Sequence, residues 1–202
     1  KGDPTNGLGT SITVKLPPEF DGNLTIMNHG DGPLANAGEF DVDVNAVASA
    51  KTVTLTNKAS LGDCTVKGGP SVVSTGVTCR ETVTVLDVSD DVNITTEGDG
   101  GDVPSVVLRV SQVSAAAKGG TISVTGEGSI SATFPASGNY SLHASAPHGA
   151  VDTGAAPSGC TASEAGATDK TVTCGAGGAA YGLSTQGENG VFAEGNVTLS
   201  YK

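Results

Sequence analysis

The chain has 202 residues, with 21 Asp and Glu against 10 Lys and Arg, a net charge of −11, 3% aromatic residues and no Trp. A phosphate-binding footprint needs a basic face, so this balance excludes nucleic acid as a partner and disfavours docking on anionic lipid. No stretch approaches the ~18–20 continuous apolar residues of a membrane span.

The chain opens Lys1-Gly2-Asp3-Pro4, which reads as a trimmed end, so the missing export signal says nothing about export. Short alternating segments follow. Thr10 to Leu16 alternates until Pro17-Pro18 stops it, and Asn23 to Asn28 runs into the turn cluster His29 to Pro33. Glu39 to Asn45 alternates acid with apolar residues, the pattern of one wet and one buried face, and Thr52 to Thr56 repeats it. Cys64 to Val66, Gly76 to Val85 and Val92 to Thr95 complete a set of about seven short strands separated by turn signals. Glu97-Gly-Asp-Gly-Gly-Asp102 then breaks the pattern and is the best linker in the chain. A second set runs through Val103–Ser114, Thr121–Thr125, Ser129–Phe134, Tyr140–His143, Lys170–Cys174, Ala180–Leu183, Gly190–Phe192 and Asn196–Tyr201. Val, Thr and 30 Gly suit pleated surfaces and many turns. No ten-residue segment carries helical periodicity. These features predict an all-β chain of two tandem immunoglobulin-like antiparallel sandwiches, residues 1–101 and 102–202.

The four cysteines are Cys64, Cys79, Cys160 and Cys174. Three pairings exist on paper. Cys64–Cys79 and Cys160–Cys174 are expected because each closes a short loop, worth roughly 3 kcal/mol for a loop of ~15 residues. Paired cysteines in a chain with few large apolar rings point to an oxidising compartment, hence a secreted or cell-surface protein. Zinc is the weaker reading, since there is no Cys-x-x-Cys and His29, His143 and His148 lack ligand spacing to the cysteines. Both halves contain Cys-Thr followed by Val-Thr-Cys, as Cys64-Thr65…Val77-Thr78-Cys79 and Cys160-Thr161…Val172-Thr173-Cys174. A hairpin with one cysteine on each strand would give this spacing. The pattern resembles the DUF11-type immunoglobulin-like repeats of bacterial surface proteins, over Thr52 to Thr95 and again over Cys160 to Thr198. The resemblance implies an extracellular structural or adhesive module without catalytic residues.

The residues supply little chemistry of their own. There is no Gly-x-Ser-x-Gly elbow and no phosphate-binding Gly-x-x-x-x-Gly-Lys loop. Carboxylate pairs such as Asp90-Asp91 lack the aromatic platforms that sugar-cleaving sites need. No enzyme is expected. Structural calcium is the one cofactor considered, because Asp87, Asp90, Asp91, Glu97, Asp99 and Asp102 cluster near the presumed junction and calcium takes about six to eight oxygens. The sequons Asn23, Asn93, Asn139 and Asn196 would be surface sites in a glycosylating host. A Lys15–Asn93 cross-link is conceivable by strand position. The function these features imply is structural: a subunit of a surface layer, pilus-like fibre or adhesive stalk that self-associates, with strand addition as the assembly route. The alternative is a monomeric glycan- or protein-binding module, marked by exposed aromatics around Tyr140, Tyr181 or Phe192.

Overall fold

The computed structural model describes residues 10–17, 20, 22–28, 40–45, 50–58, 62–69, 71–97, 103–126, 128–186 and 195–202. Among them are seventeen strands and no helix. One sheet has the order β1 (Thr10–Lys15), β3 (Phe40–Asn45), β5 (Cys64–Lys67), β7 (Val83–Ser89), β9 (Val106–Gln112), β11 (Ile130–Phe134), β17 (Val197–Tyr201), β13 (Val151–Asp152). The other has the order β14 (Cys160–Glu164), β15 (Asp169–Cys174), β12 (Tyr140–Ser145), β16 (Ala179–Gln186), β10 (Gly119–Thr125), β8 (Asp91–Glu97), β6 (Ser74–Cys79), β4 (Thr52–Asn57), β2 (Asn23–Asn28).

The antiparallel immunoglobulin sandwiches are therefore replaced by a different architecture. Odd-numbered strands up to β13 build the first sheet and even-numbered strands up to β12 the second, so the chain winds from sheet to sheet. Nearly every neighbour is parallel, as in β3–β5 and β4–β6. Only β15 runs antiparallel, to β12 and to β14. This is a two-sheet parallel β-solenoid, a stack whose coils each bury one face against the coil above and below. Both sheets also run past position 101, since β7 pairs with β9 and β8 with β10.

The core is one cluster built from two ladders of aliphatic side chains, one on each sheet. Val42, Cys64, Val83, Val106, Ile130 and Val197 stack inward on one sheet, and Leu55, Val77, Ile94, Ile122, Leu183 and Ala144 on the other. Val and Thr suit this geometry because β-branching fits a pleated surface with one χ1 rotamer preferred. An aromatic cluster fills the C-terminal end, where Phe134 stacks on Tyr140 and meets Tyr181 edge-on.

The C-terminal coil departs from simple winding. After β13 the chain makes the antiparallel hairpin β14–β15, then returns so that β16 lies between β10 and β12, and β17 between β11 and β13. The last strands in sequence thus occupy an interior coil. The return loop 175–178 passes over Asn139, whose Oδ1 accepts from Ala176 N at 2.7 Å and whose carbonyl accepts from Ala179 N at 3.0 Å. Gly175 has φ +59°, and a Cβ there would lie 2.8 Å from the Gly138 carbonyl oxygen, so both conformation and closeness require glycine.

Candidate functional face and the predicted site residues

The two outer faces differ in chemistry. On the β2-to-β14 sheet, one outward row runs Thr56, Thr78, Thr95, Ser123, Ser184, Ser145 across six adjacent strands. The next row holds Thr54, Gly76, Asn93, Thr121 and Gly182 on β4, β6, β8, β10 and β16. Neither row carries a charged side chain over those five strands, although the chain has a net charge of −11. The six hydroxyls of the first row have no side-chain partner among the described residues. No register shift interrupts the pairings of β4, β6, β8, β10 and β16.

The opposite face is charged and irregular. Its outward positions include Lys15, Asp43, Lys67, Arg109 and Asp152, and a bulge displaces the β7–β9 register at Leu86, Val88 and Ser89. Asp87 is the extra residue, at φ 60°. Arg109 donates to it through Nε at 2.7 Å and Nη2 at 2.6 Å. That hydrogen-bonded guanidinium holds the Asp87 carboxyl below the usual carboxylate range. A shallow cavity of about 260 Å³ lies here, lined by Asp87, Arg109, Ser111, Thr133 and Lys202.

The predicted calcium ligands do not converge. Asp87 faces Arg109 on the outer surface. Asp90, at φ 58°, turns into the corner of the next coil, where its carboxylate accepts from Ser114 N at 2.7 Å and Ser114 Oγ at 2.8 Å. Asp91 accepts from Lys118 N at 2.7 Å and Gly119 N at 3.1 Å. The side chain of Glu97, and Asp99 and Asp102, lie outside the described residues. No group of three or more His, Cys, Asp or Glu able to hold a metal occurs among the described residues. What Asp90 and Asp91 do is cap the turn of the following coil, satisfying backbone donors that no ladder reaches.

The sequon asparagines share that role. Asn23 Oδ1 accepts from Thr52 Oγ1 at 2.7 Å, Asn93 Oδ1 from Thr121 N at 3.1 Å and Asn196 Oδ1 from Ala150 N at 2.9 Å. With Asn139, which accepts from the return loop, each is exposed and each ties the chain at or just before a strand to a neighbouring segment. Sequence reasoning missed these ties, because a sequon and a coil-to-coil clamp use the same residue.

The cysteines are bonded Cys64–Cys79 and Cys160–Cys174, and none is free. Their settings differ. Cys160 and Cys174 face each other across the β14–β15 hairpin. Cys64 and Cys79 sit on β5 and β6, which belong to different sheets, so this bond crosses the core and the hairpin expected there is absent. Lys15 and Asn93, considered for a cross-link, lie on different sheets. Two disulfides fit an oxidising compartment. No helix among the described residues is long and apolar enough to cross a membrane.

Two of the three aromatics expected as binding platforms are instead interior. Tyr140 and Tyr181 are buried, and Phe192 lies outside the described residues. Tyr140 donates its hydroxyl proton to the Pro135 carbonyl and Tyr181 to the Asp90 carbonyl. Burial pushes Tyr140 up to about 12, raises Tyr181 further with help from the Asp90 and Asp91 charges, and raises Tyr201. An unfolded tyrosine ionises near ~10. The unfolded chain therefore loses these protons first, so their stabilisation is complete below about pH 10 and falls as pH rises toward about 12. In urea titrations the unfolding midpoint should hold steady up to about pH 9 and then decline, with tyrosinate absorbance appearing together with unfolding. Tyrosinate signal from native protein near pH 10 would contradict the buried hydroxyls.

Comparison with protein-family models, with curated proteins and with solved structures gives no match to this chain.

Proposed function

We propose that the chain is a non-enzymatic extracellular structural protein, a rigid spacer in a surface layer, fibre or adhesive stalk that lengthens by strand addition. The observation that carries this reading is the difference between the ends of the stack. At one end, β1 and β2 each have a strand partner on one side only among the described residues; Ile12, in register with the inward Val42, is 44% exposed there, and Met27, in register with the outward Thr56, is 57% exposed on the edge strand β2. At the other end of the second sheet, the disulfide-closed β14–β15 hairpin supplies an antiparallel edge. An open parallel edge is a template for another strand, and native proteins otherwise blunt such edges with charge or proline. Stacked coils spaced ~4.8 Å apart make a stiff unit roughly 40 Å tall, suited to a spacer.

The test is assembly. Wild-type protein should form elongated multimers whose length grows with concentration, seen by electron microscopy and sedimentation. Ile12→Lys with Met27→Lys should leave monomers of unchanged melting temperature. A wild-type protein that stays monomeric at every concentration would sink the strand-addition reading.

A further inference from the structure

We propose that the outer face of β4, β6, β8, β10, β16 and β12 is an ice-binding surface. This goes beyond the structural role above and does not depend on it. The argument starts from spacing. Adjacent parallel strands hold equivalent residues ~4.8 Å apart, and residues i and i+2 on one strand lie ~6.6 Å apart. Thr54 and Thr56, Asn93 and Thr95, and Thr121 and Ser123 are such i, i+2 pairs. They stand on strands kept in unbroken register. The result is one unbroken row of six hydroxyls beside a second row in which Thr54 and Thr121 add hydroxyls, Asn93 a carboxamide and Gly76 and Gly182 no side chain, and the oxygen positions of hexagonal ice repeat at close to these two intervals on a growing face.

The chemistry of the grid selects the occupant. A charged side chain imposes its own hydration shell and would break an ice-like water layer. The ten grid positions on β4, β6, β8, β10 and β16 contain none, and the second row meets an ionisable side chain only on reaching β12, where His143 lies beside Asp169, whereas the opposite face carries Lys67, Arg109, Asp87 and Asp43. A crystalline polysaccharide would ask for aromatic platforms to stack on its rings, and the grid has no aromatic; Phe134, Tyr140 and Tyr181 are buried in the core. A second copy docking here would need apolar area, and Thr, Ser and Gly offer little. The hydroxyls of Thr56, Thr78, Thr95, Ser123, Ser184 and Ser145 have no competing side-chain partner among the described residues. β-Branched Thr is stiff at χ1, so presenting the rows involves little loss of rotamer freedom. Each contact is weak, but a lattice engages all of them at once, which multiplies retention as multivalency does.

The probe is ice itself, with the full-length protein. Wild-type protein at micromolar concentration should slow recrystallisation in a frozen sucrose film, shape single ice crystals and open a gap between melting and freezing points. Thr78→Lys with Thr95→Lys, in the centre of the long row, should reduce the recrystallisation effect at least tenfold while leaving circular dichroism and melting temperature unchanged. Thr65→Lys with Thr84→Lys, on the opposite sheet, should keep it. Freezing depression no greater than that of a non-binding protein at equal concentration would overturn the proposal. So would equal loss from the two double variants, or retention on crystalline cellulose without any effect on ice.

Discussion

Ending the chain at Gly178 is expected to detach the C-terminal coils while leaving the N-terminal stack folded. Among the described residues β12 pairs with β15 and β16, and β13 pairs only with β17, so removing β16 and β17 leaves β12 joined only to the β14–β15 hairpin and β13 without a ladder partner. The truncation also removes Tyr181, Leu183, Val197 and Leu199, all buried, and uncovers Phe134, Tyr140 and Leu142. At ~1.5–3 kcal/mol for each fully buried apolar side chain, the four lost residues alone account for roughly 6–12 kcal/mol. That approaches the ~5–15 kcal/mol by which a whole domain is stable. Limited proteolysis of the truncated protein should give a resistant core that stops near Phe134, with residues 135–174 cut. A core extending to residue 174, or an unchanged melting temperature, would show that the inserted coil does not hold the C-terminal end. The same topology bears on folding order. Coils that pair in space only through β16 and β17 must wait for the last strands synthesised, so the C-terminal end should consolidate last.

Most strand positions were legible from the residues and their partners were not, and the segment Gly76 to Val85, read as one, is split between β6 and β7 in opposite sheets. Val42 and Val44, Val53 and Leu55, and Val83 and Val85 alternate with polar residues, and each pair is buried. Period-two alternation reports one buried face. It is identical for an antiparallel sandwich and a parallel solenoid, so it could not separate them. A cue lay in the recurrence of these short patterns about every 17–30 residues, the signature of stacked coils. The insertion of β16 and β17 left no local trace, because nothing in Val197-Thr-Leu says that it meets Ile130 on one side and Val151 on the other. The acidic cluster failed as a site for a related reason. Asp87, Asp90 and Asp91 are close in sequence, but a bulge and a corner separate them, and each serves a different partner. Thr56, Thr78, Thr95 and Ser123, far apart in sequence, form one row only because the coils stack in register.

The two disulfides make the sharpest contrast between sequence likeness and structural role. Their sequence separations are 15 and 14, so loop entropy assigns each about 3 kcal/mol. What they hold is different. Cys64 and Cys79 are both buried and join opposite sheets through the core, so any opening of that bond requires the stack to come apart. Cys160 is only partly buried, and its bond closes a hairpin at the edge of a sheet, which can fray without the rest. Replacing Cys64 and Cys79 together by Ala should therefore lower global stability by at least about 3 kcal/mol, since a core gap adds to the lost cross-link. At ~2–4 °C per kcal/mol for a chain of this size, the melting temperature should fall by roughly 6–12 °C. Replacing Cys160 and Cys174 by Ser should move the global transition by less than half as much and appear instead as faster hydrogen exchange in β14 and β15. The reduction of native protein should follow the same order: a thiol reductant without denaturant opens Cys160–Cys174 first, and Cys64–Cys79 yields only as the stack unfolds. Mass spectrometry of alkylated thiols would read this directly, and early labelling of Cys64 or Cys79 would overturn the assignment of that bond to the core.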